Sequence, residues 1–451
     1  MSALTLISDP QTATVLLPEF TLLVGIVLMI LVPNLGKGTF RLPIPNTNIR
    51  IPYLLGGERF AFTSSPRVPG VISVFTLLFS ITLALWSQME TPLTDSNIWC
   101  IAATGEAFQS CSSVTESTLL QIDGFSRLLE IVFYGALMLC GVAMWSRMPA
   151  TPRFMIHAQI LAGRREDERI AKLIDNRRQV DFHLLLLMVA FGMSIVALAA
   201  DVFVLFIGLE LASLSSYVLI AFMKEKEVAP EAGMKYFIVG SVASAIGLYG
   251  ASLLYLWNGS LQISELAASW QAMETVDPLA LAGLGFLVVT IGFKVSAAPF
   301  HLATPDAYSG ASSPVAGVLA TASKAMGFVV LLRVLVAITM PESGEAFWVP
   351  VIGVLAAITM TWGNFGALST ENPKRILAYS SVAHAGYLLA AVAALGLNIQ
   401  RTGDHVVAEL IVAAMLFHLT VLVLFKLGSF LVLSMLESEG KGSKLEDLYG
   451  L

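Results

Sequence analysis

The sequence predicts an all-α polytopic membrane protein, and both its composition and its hydropathy pattern support this class. Of 451 residues, 56% are hydrophobic and 13% are charged, whereas soluble domains carry about 25% charged residues. Apolar runs of about 17–25 residues, the length that spans a bilayer, recur along the chain and predict about 11 transmembrane helices. The predicted spans are 15–33, 69–87, 124–146, 182–200, 202–223, 232–257, 279–299, 313–338, 347–369, 374–396 and 405–436.

Basic residues fall in alternate connecting segments of the chain. Segments 34–68 and 147–181 contain several Lys and Arg residues, whereas segments 88–123 and 258–278 contain neither. Basic connecting segments stay on the cytoplasmic side of a membrane. The pattern therefore predicts an N-terminus outside the cell and residue 451 on the cytoplasmic side.

The same segments divide the chain into parts. Residues 1–146 are predicted to hold three N-terminal transmembrane helices, and residues 147–181 to form a charged cytoplasmic loop. Segment 88–123, on the predicted outer side, contains Cys100 and Cys111. An oxidising compartment would permit a disulfide between them, but their separation along the chain does not fix the geometry that a disulfide needs.

The sequence offers no motif for a bound cofactor or for nucleic acid. It contains no Gly-rich nucleotide loop after a strand and no Cys-x-x-Cys cluster, which are the patterns of nucleotide, haem and metal sites. The formal net charge of −6 gives no basic footprint for nucleic acid. We therefore expect no cofactor or metal in this chain and no nucleic-acid partner.

The segment 291–301 ends an apolar run, yet it contains Lys294, Pro299 and His301. A lysine at membrane depth costs about 2.5–3.5 kcal/mol on insertion scales, so Lys294 needs a function or a partner. Pro299 has no N–H, so the carbonyl of Val295 would lose its helical partner. Because such a break is tolerated only where protein or water covers the freed groups, the sequence predicts a broken helix and a small hydrated site.

Other ionisable side chains lie inside the predicted spans and suggest a proton relay. The candidate residues are Glu210, Lys235, Lys294, Lys324 and His301, with Lys426 and His418 as additional candidates. A free lysine, with a pKa of about 10.4, holds its proton permanently, whereas burial favours the neutral form. Glu210 and Lys235 lie on neighbouring antiparallel helices, so we expect a direct or water-bridged pair that holds this lysine charged.

Structural roles are open for the same residues. An intramembrane charge can belong to an ion pair that only fixes helix packing, and His384 and His418 can be hydrogen-bonded packing residues. Lys426 could extend its amine toward the membrane surface. Arg127 and Glu130, three residues apart in the third span, are expected to form a local ion pair.

Five segments together resemble the antiporter-like subunits of respiratory complex I, and most closely the chain N family of the NADH–quinone oxidoreductases. The likeness covers most of residues 180 to 440. The segments are 205–210 (LFIGLE), 292–301 (GFKVSAAPFH), 304–314 (TPDAYSGASSP), 320–324 (ATASK) and 372–381 (NPKRILAYSS).

The resemblance implies an antiporter-like fold with two inverted five-helix repeats, each holding a broken helix. Residues 182–338 would form the first repeat with its proton half-channels, and residues 339–451 the start of the second. The family has a second broken helix with its own lysine, which is expected beyond residue 451. The second repeat would then be incomplete here, and Lys426 would stand where an uncharged polar residue is expected.

The resemblance also implies roles for the candidate residues. Glu210 and Lys235 would be the coupling pair, Lys294 the central proton carrier and Lys324 the residue that passes the proton sideways, while His301 would hydrate the path. The protein would be a proton-translocating membrane-arm subunit in a prokaryotic plasma (inner) membrane. Its partners would be other membrane-arm subunits and lipid, and those other subunits would bind NADH and quinone.

Two other functions remain open from the sequence. One is a subunit of a multi-subunit sodium/proton antiporter, which shares this module. The other is a structural membrane scaffold, in which substitution of Glu210 or Lys294 would change stability alone. The sequence leaves the ion, the electron donor and the quinone type undecided.

Overall fold

A computed structural model of the protein describes most of the membrane-embedded chain. Among the residues it describes, ten helices are long and apolar enough to cross a membrane, and a shorter apolar helix of 15 residues comes before them. The predicted class, an all-α multi-pass membrane protein with about 11 spans, is therefore confirmed. The described residues are 16–32, 35–41, 50–54, 68–90, 99–102, 107–110, 118–145, 167–224, 226–339, 348–402, 404–442 and 444–449.

The described residues between 16 and 145 contain three helices and five short strands. The strands form an antiparallel pair, β1–β2, and a sheet ordered β4–β3–β5. The hydropathy analysis did not predict them, because it detects long apolar runs only. Cys100 lies on β3, but Cys111 is outside the described residues, so the disulfide stays a prediction. The elements are α1 (Leu17–Leu31), β1 (Leu35–Arg41), β2 (Arg50–Leu54), α2 (Val68–Glu90), β3 (Trp99–Ala102), β4 (Ala107–Ser110), β5 (Thr118–Ile122) and α3 (Gly124–Met144).

Helices α4 (Asp167–Leu198) and α5 (Val202–Ile220) are joined by a tight turn, as predicted. The Asp201 carboxylate accepts hydrogen bonds from the backbone N–H groups of Phe203 (2.7 Å) and Val204 (3.2 Å). These bonds satisfy N–H groups that have no partner within the helix. Helix α4 begins at Asp167, well before residue 182, where its apolar span was predicted to start.

Helices α6 (Val228–Asn258) and α8 (Pro278–Val295) pack closely, with the short helix α7 (Ile263–Gln271) between them in sequence. The Thr290 hydroxyl of α8 donates to the Ala243 carbonyl of α6 at 2.6 Å. Small residues on α6 permit this approach, as is usual where membrane helices meet.

Helix α8 ends directly after Lys294, which confirms the predicted broken helix. Ser296 adopts the left-handed conformation (φ 60°), and its N–H bonds to the carbonyls of Gly292 and Phe293. A left-handed residue in this position closes a helix end. The break is therefore set at Ser296, a few residues before Pro299, which lies in the following turn.

The rest of the chain surrounds an almost wholly buried segment, 313–339, that the sequence analysis predicted as a single helix. It is interrupted at Thr321 (φ −122°, ψ −86°) and contains one π-helical turn, Leu332–Val336. The remaining helices are α9 (Thr304–Gly310), α10 (Ser313–Ala320), α11 (Ala322–Leu331), α12 (Ala337–Thr339), α13 (Val349–Leu368), α14 (Pro373–Arg401) and α15 (His405–Ser438), followed by a 3-10 turn at Leu445–Leu448.

Candidate functional site

Lys294 lies in the last turn of α8, where the helix is about to break. Its side chain is buried, and its ammonium donates a hydrogen bond to the hydroxyl of Ser213 on α5. The same ammonium lies 5.6 Å from the ring centre of Tyr217 and 5.8 Å from that of Phe293. Aromatic faces stabilise a nearby cation modestly, so Lys294 is surrounded by neutral groups with weak affinity for charge.

Glu210 lies on the same face of α5 as Ser213 and Tyr217. Residues three and four positions apart share a helix face, and these three residues are spaced by three and four. The Glu210 carboxylate accepts a hydrogen bond from the hydroxyl of Ser244 on α6. A carboxylate therefore lies one helical turn from the hydroxyl that binds Lys294.

Lys235 has different partners from those expected. Its ammonium lies 2.7 Å from Glu231, one turn earlier on α6, and 3.3 Å from Asp306 on α9, and its side chain is 51% exposed. Among the described residues, Lys235 forms ion pairs with these two carboxylates and not with Glu210. The expected contact is not made because Lys235 lies in the second turn of α6, where it reaches the carboxylates at the end of the bundle.

Lys324 and Lys426 donate hydrogen bonds to neighbouring residues of α14. The ammonium of Lys324 donates to the Ser381 carbonyl at 2.6 Å, and that of Lys426 donates to the Ser380 hydroxyl at 2.6 Å. Both lysine side chains are buried. We call Lys294, Lys324 and Lys426 the lysine row, because each of them is bonded to a neutral oxygen inside the bundle.

Three histidines considered in the sequence, His301, His384 and His418, fall in two places. His384 on α14 and His418 on α15 form a hydrogen-bonded pair, with Nδ1 of the first 3.2 Å from Nε2 of the second. His384 also lies against the ring of Phe425, next to Lys426. His301 is buried in the turn after the helix break, and its ring packs edge-on against Trp362 at 5.3 Å.

Two cations at the start of α14 are bonded to carboxylates. Lys374 is buried and lies 2.5 Å from Glu437 of α15, and it also donates to the Ala311 carbonyl at 2.9 Å. Arg375 is paired with Asp306, the residue that Lys235 also contacts. These ion pairs connect α6, α9, α14 and α15 at one end of the bundle.

More than half of the chain, residues 199–451, matches the family model described as NADH:quinone oxidoreductase/Mrp antiporter, TM. The chain belongs to this family. Subunit N 2 of the NADH-quinone oxidoreductase of Roseiflexus castenholzii is 35% identical over 355 residues, which are 78% of this chain and 65% of that protein. The chain spans about 44% to 65% of the length of the curated relatives it matches.

Solved structures show the same fold as this family member. A chain of respiratory complex I from Thermus thermophilus, solved with bound Aureothin, has a TM-score of 0.61 and 25% identity, over 93% of this chain and 70% of that chain. A chain of the Mrp complex from Dietzia sp. DQ12-45-1b has a TM-score of 0.67 and 20% identity, over 97% of this chain and 65% of that chain.

Sequence reasoning missed the neutral partners of the buried lysines. Ser213 could have been found from its spacing to Glu210, since the two share a helix face. The roles of Ser244, Ser380 and Ser381 depend on which helices pack together, and their sequence carries no separate signal for that. Asp306 lay within a motif that the resemblance used, but nothing indicated that it joins Lys235 to Arg375.

Proposed function

We propose that this protein is a proton-translocating membrane-arm subunit of a respiratory NADH–quinone oxidoreductase, complex I. Protons would move through a buried relay of glutamate and lysine side chains, coupled to quinone reduction in other subunits. The observation that carries the proposal is the lysine row, in which three buried lysines are bonded to neutral oxygens.

A neutral partner leaves the protonation of a buried lysine easy to change. Burial favours the neutral amine, and a nearby carboxylate favours the ammonium. Glu210 lies one helical turn from Ser213, so its charge acts on Lys294 without a direct ion pair that would fix the proton. In this arrangement a change in the charge or position of Glu210 releases or captures a proton at Lys294.

The other relay residues extend the path sideways through the bundle. Lys324 would receive the proton from Lys294, with His301 hydrating the interval between them. Lys426, bonded to the residue next to the Lys324 partner, would pass it on toward His418 through His384. Lys235 would act at the end of the bundle, where Asp306 holds it.

The relatives support the assembly in which we place this chain. They are named as subunit N of NADH-quinone oxidoreductases of bacteria, so the partners would be other membrane-arm subunits in a prokaryotic plasma membrane. The chain would be part of a translocase without redox chemistry or a cofactor of its own, and NADH and quinone would bind to other subunits. The distribution of basic segments supports an N-terminus outside the cell and residue 451 on the cytoplasmic side.

The helices suggest a division that follows the family pattern. Residues 1–146 would be the three N-terminal transmembrane helices and 147–181 a charged cytoplasmic connection, part of which continues α4 as a helix. Residues 182–338 would form the first inverted repeat, with the break at Ser296, and residues 339–451 would begin the second.

The test is Lys294→Ala in the assembled complex, reconstituted into closed vesicles. We expect fewer pumped protons and slower quinone reduction, with normal assembly. Lys224→Ala is the matched control, since Lys224 is an exposed lysine between α5 and α6, and it should leave pumping unchanged. Normal proton stoichiometry in Lys294→Ala would refute the role of the lysine row.

A sodium/proton antiporter subunit is the second candidate, because the Mrp complex contains a chain of the same fold. Isolation of the native assembly with its partner subunits separates the two. Flavin or iron–sulfur subunits and quinone reductase activity would establish the first candidate. Sodium-dependent proton transport by an assembly without redox centres would establish the second.

A further inference from the structure

A second group of buried charges lies in the N-terminal helices, away from the lysine row. Arg127 of α3 donates through one nitrogen, Nη1, to Glu19 of α1 at 2.8 Å and to Glu130 of α3 at 2.5 Å. Their side chains are 3%, 9% and 0% exposed. The expected pair between Arg127 and Glu130 is therefore confirmed, but a second carboxylate from another helix shares the same cation.

Neutral groups of the described residues also contact this cluster. The Ser194 hydroxyl of α4 lies 2.6 Å from Glu130 Oε1 and 3.5 Å from Glu19 Oε1, and the Tyr134 hydroxyl lies 3.3 Å from Glu130 Oε1. Helix α2 lies beside Glu19, because the Ser80 hydroxyl donates to the carbonyl of the preceding residue, Pro18, at 3.1 Å. We call Glu19, Arg127, Glu130 and Ser194 the N-terminal charge cluster.

The charges of this cluster balance only if a proton is present. Arg127 is the one cation bonded to either carboxylate in the part of the chain that the structure describes. Two ionised carboxylates would leave one uncompensated negative charge in a buried site. Isolated buried charges are so costly that the group takes up a proton instead.

The hydrogen bonds indicate which carboxyl holds that proton. Both oxygens of Glu130 have donors, from Arg127 on one side and from Ser194 and Tyr134 on the other. Glu19 Oε2 is buried and has no hydrogen-bond partner among the described residues. An ionised carboxylate would leave this oxygen both charged and unsatisfied, whereas a protonated carboxyl would leave it neutral.

We propose that the N-terminal charge cluster is a second proton-binding site, which holds one proton on Glu19 while Glu130 neutralises Arg127. Glu19 is in the first turn of α1, Arg127 in the first turn of α3 and Ser194 near the end of α4. The site therefore lies about one turn inside one end of the bundle. The inference concerns proton occupancy and does not depend on the proposed function.

Infrared difference spectroscopy on the intact membrane assembly tests it directly. A protonated carboxyl gives a carbonyl stretch that is separate from the carboxylate bands and shifts in D₂O. We expect the wild-type spectrum to contain one such band that Glu19→Gln removes. Glu130→Gln should remove it too, because Glu19 must then ionise to neutralise Arg127.

The matched control is Glu231→Gln, which changes an exposed glutamate with 64% of its side chain accessible and should leave the band in place. Two single variants are used so that the test still stands if one of them misfolds. If neither Glu19→Gln nor Glu130→Gln removes a protonated-carboxyl band, both carboxylates are ionised and the proposal is wrong.

Thermal unfolding against pH gives an independent reading of the same proton. The folded site holds a proton that an exposed glutamate of the unfolded chain releases at neutral pH, so this site contributes a stability that falls as pH rises. The decline in melting temperature from pH 6 to pH 8 should be smaller in Glu19→Gln than in the wild type and unchanged in Glu231→Gln. Equal slopes in the wild type and Glu19→Gln would contradict the proposal.

Discussion

The N-terminal charge cluster and the lysine row are both buried in the membrane bundle, but the cations of the two regions have opposite kinds of partner. Arg127 is held by two carboxylates. Lys294, Lys324 and Lys426 are bonded to a hydroxyl, a carbonyl and a hydroxyl. A guanidinium is always charged in proteins, whereas a buried ammonium readily changes its protonation.

The difference shows how one bundle can hold both fixed and exchangeable charge. A direct carboxylate partner favours the charged form of a cation and so fixes it. In the lysine row the carboxylate of Glu210 lies one turn away from the lysine's partner. The N-terminal charge cluster has the reverse arrangement, with a permanent cation and, in our proposal, a carboxyl group that holds a proton.

The largest expected effect comes from removing both carboxyls of the cluster. Glu19→Gln should change stability by less than about 1 kcal/mol, because Glu130 still neutralises Arg127. Glu130→Gln should cost about 1–3 kcal/mol, because Glu19 then ionises with its buried Oε2 unsatisfied. The double variant removes both carboxylates that neutralise the buried guanidinium among the described residues, and it should cost about 3–5 kcal/mol. A thermal or denaturant unfolding cycle measures this coupling, and additive single and double effects would contradict the shared cation.

A carboxylate introduced beside Lys294 should hold this lysine in its charged form. Ser213→Asp gives the ammonium a charged partner, and a hydrogen bond to a charged group is worth about 1.5–3 kcal/mol. We expect proton pumping to fall about tenfold or more, since each 1.4 kcal/mol corresponds to a factor of ten. Ser213→Ala, which removes only a hydroxyl, is the control. Equal pumping in Ser213→Asp and the wild type would show that the neutral partner is unimportant.

The next effect concerns the approach of α5 to α6 beside Lys294. A Cβ added at Gly240 would lie 2.2 Å from the Tyr217 hydroxyl, so Gly240→Ala must displace this ring and should cost about 1–3 kcal/mol. Gly285→Ala is a matched control on α8, because its Cβ would meet nothing within 4 Å. Melting temperatures of the two variants measure the contrast, and equal values would show that Tyr217 moves freely.

The smallest effect should come from Lys426→Met, which removes a charge but keeps a long apolar side chain. We expect about a twofold to fivefold lower pumping rate with little loss of stability, because replacing a buried charge by an apolar group is often neutral or stabilising. Lys441→Met, at an exposed lysine, is the control for the substitution itself. Unchanged pumping in Lys426→Met would remove this residue from the relay.

Much of the fold was predictable from the sequence, because membrane insertion imposes long apolar runs that can be counted. The tight turn at Asp201 and the break after Lys294 were also predictable, since each depends on a local sequence signal. The interruption of 313–339 at Thr321 was not, because this run has no proline or charge at that point. It depends on packing inside the bundle, where tertiary contacts override local preference.

The residue types of the site were predictable from the sequence, but the contacts between those residues were less so. Lys294 and Lys324 were identified as buried, because a lysine in an apolar run is costly. The expected direct contact of Glu210 with Lys235 was not found, because spacing along two helices does not fix which residues meet. Glu19 was not considered, since a glutamate near a helix start is ordinary and its partner is more than a hundred residues away.

Arg333, on the π-helical turn, donates hydrogen bonds to the carbonyls of Ala197 at 2.5 Å and Ala199 at 2.7 Å, at the end of α4. These bonds connect the segment that contains Lys324 to the helix that contains Ser194. Each bond from a charged donor is worth about 1.5–3 kcal/mol. A tilt of the Lys324 segment must therefore break both bonds or carry α4 with it, so the two regions with opposite charge arrangements are mechanically joined.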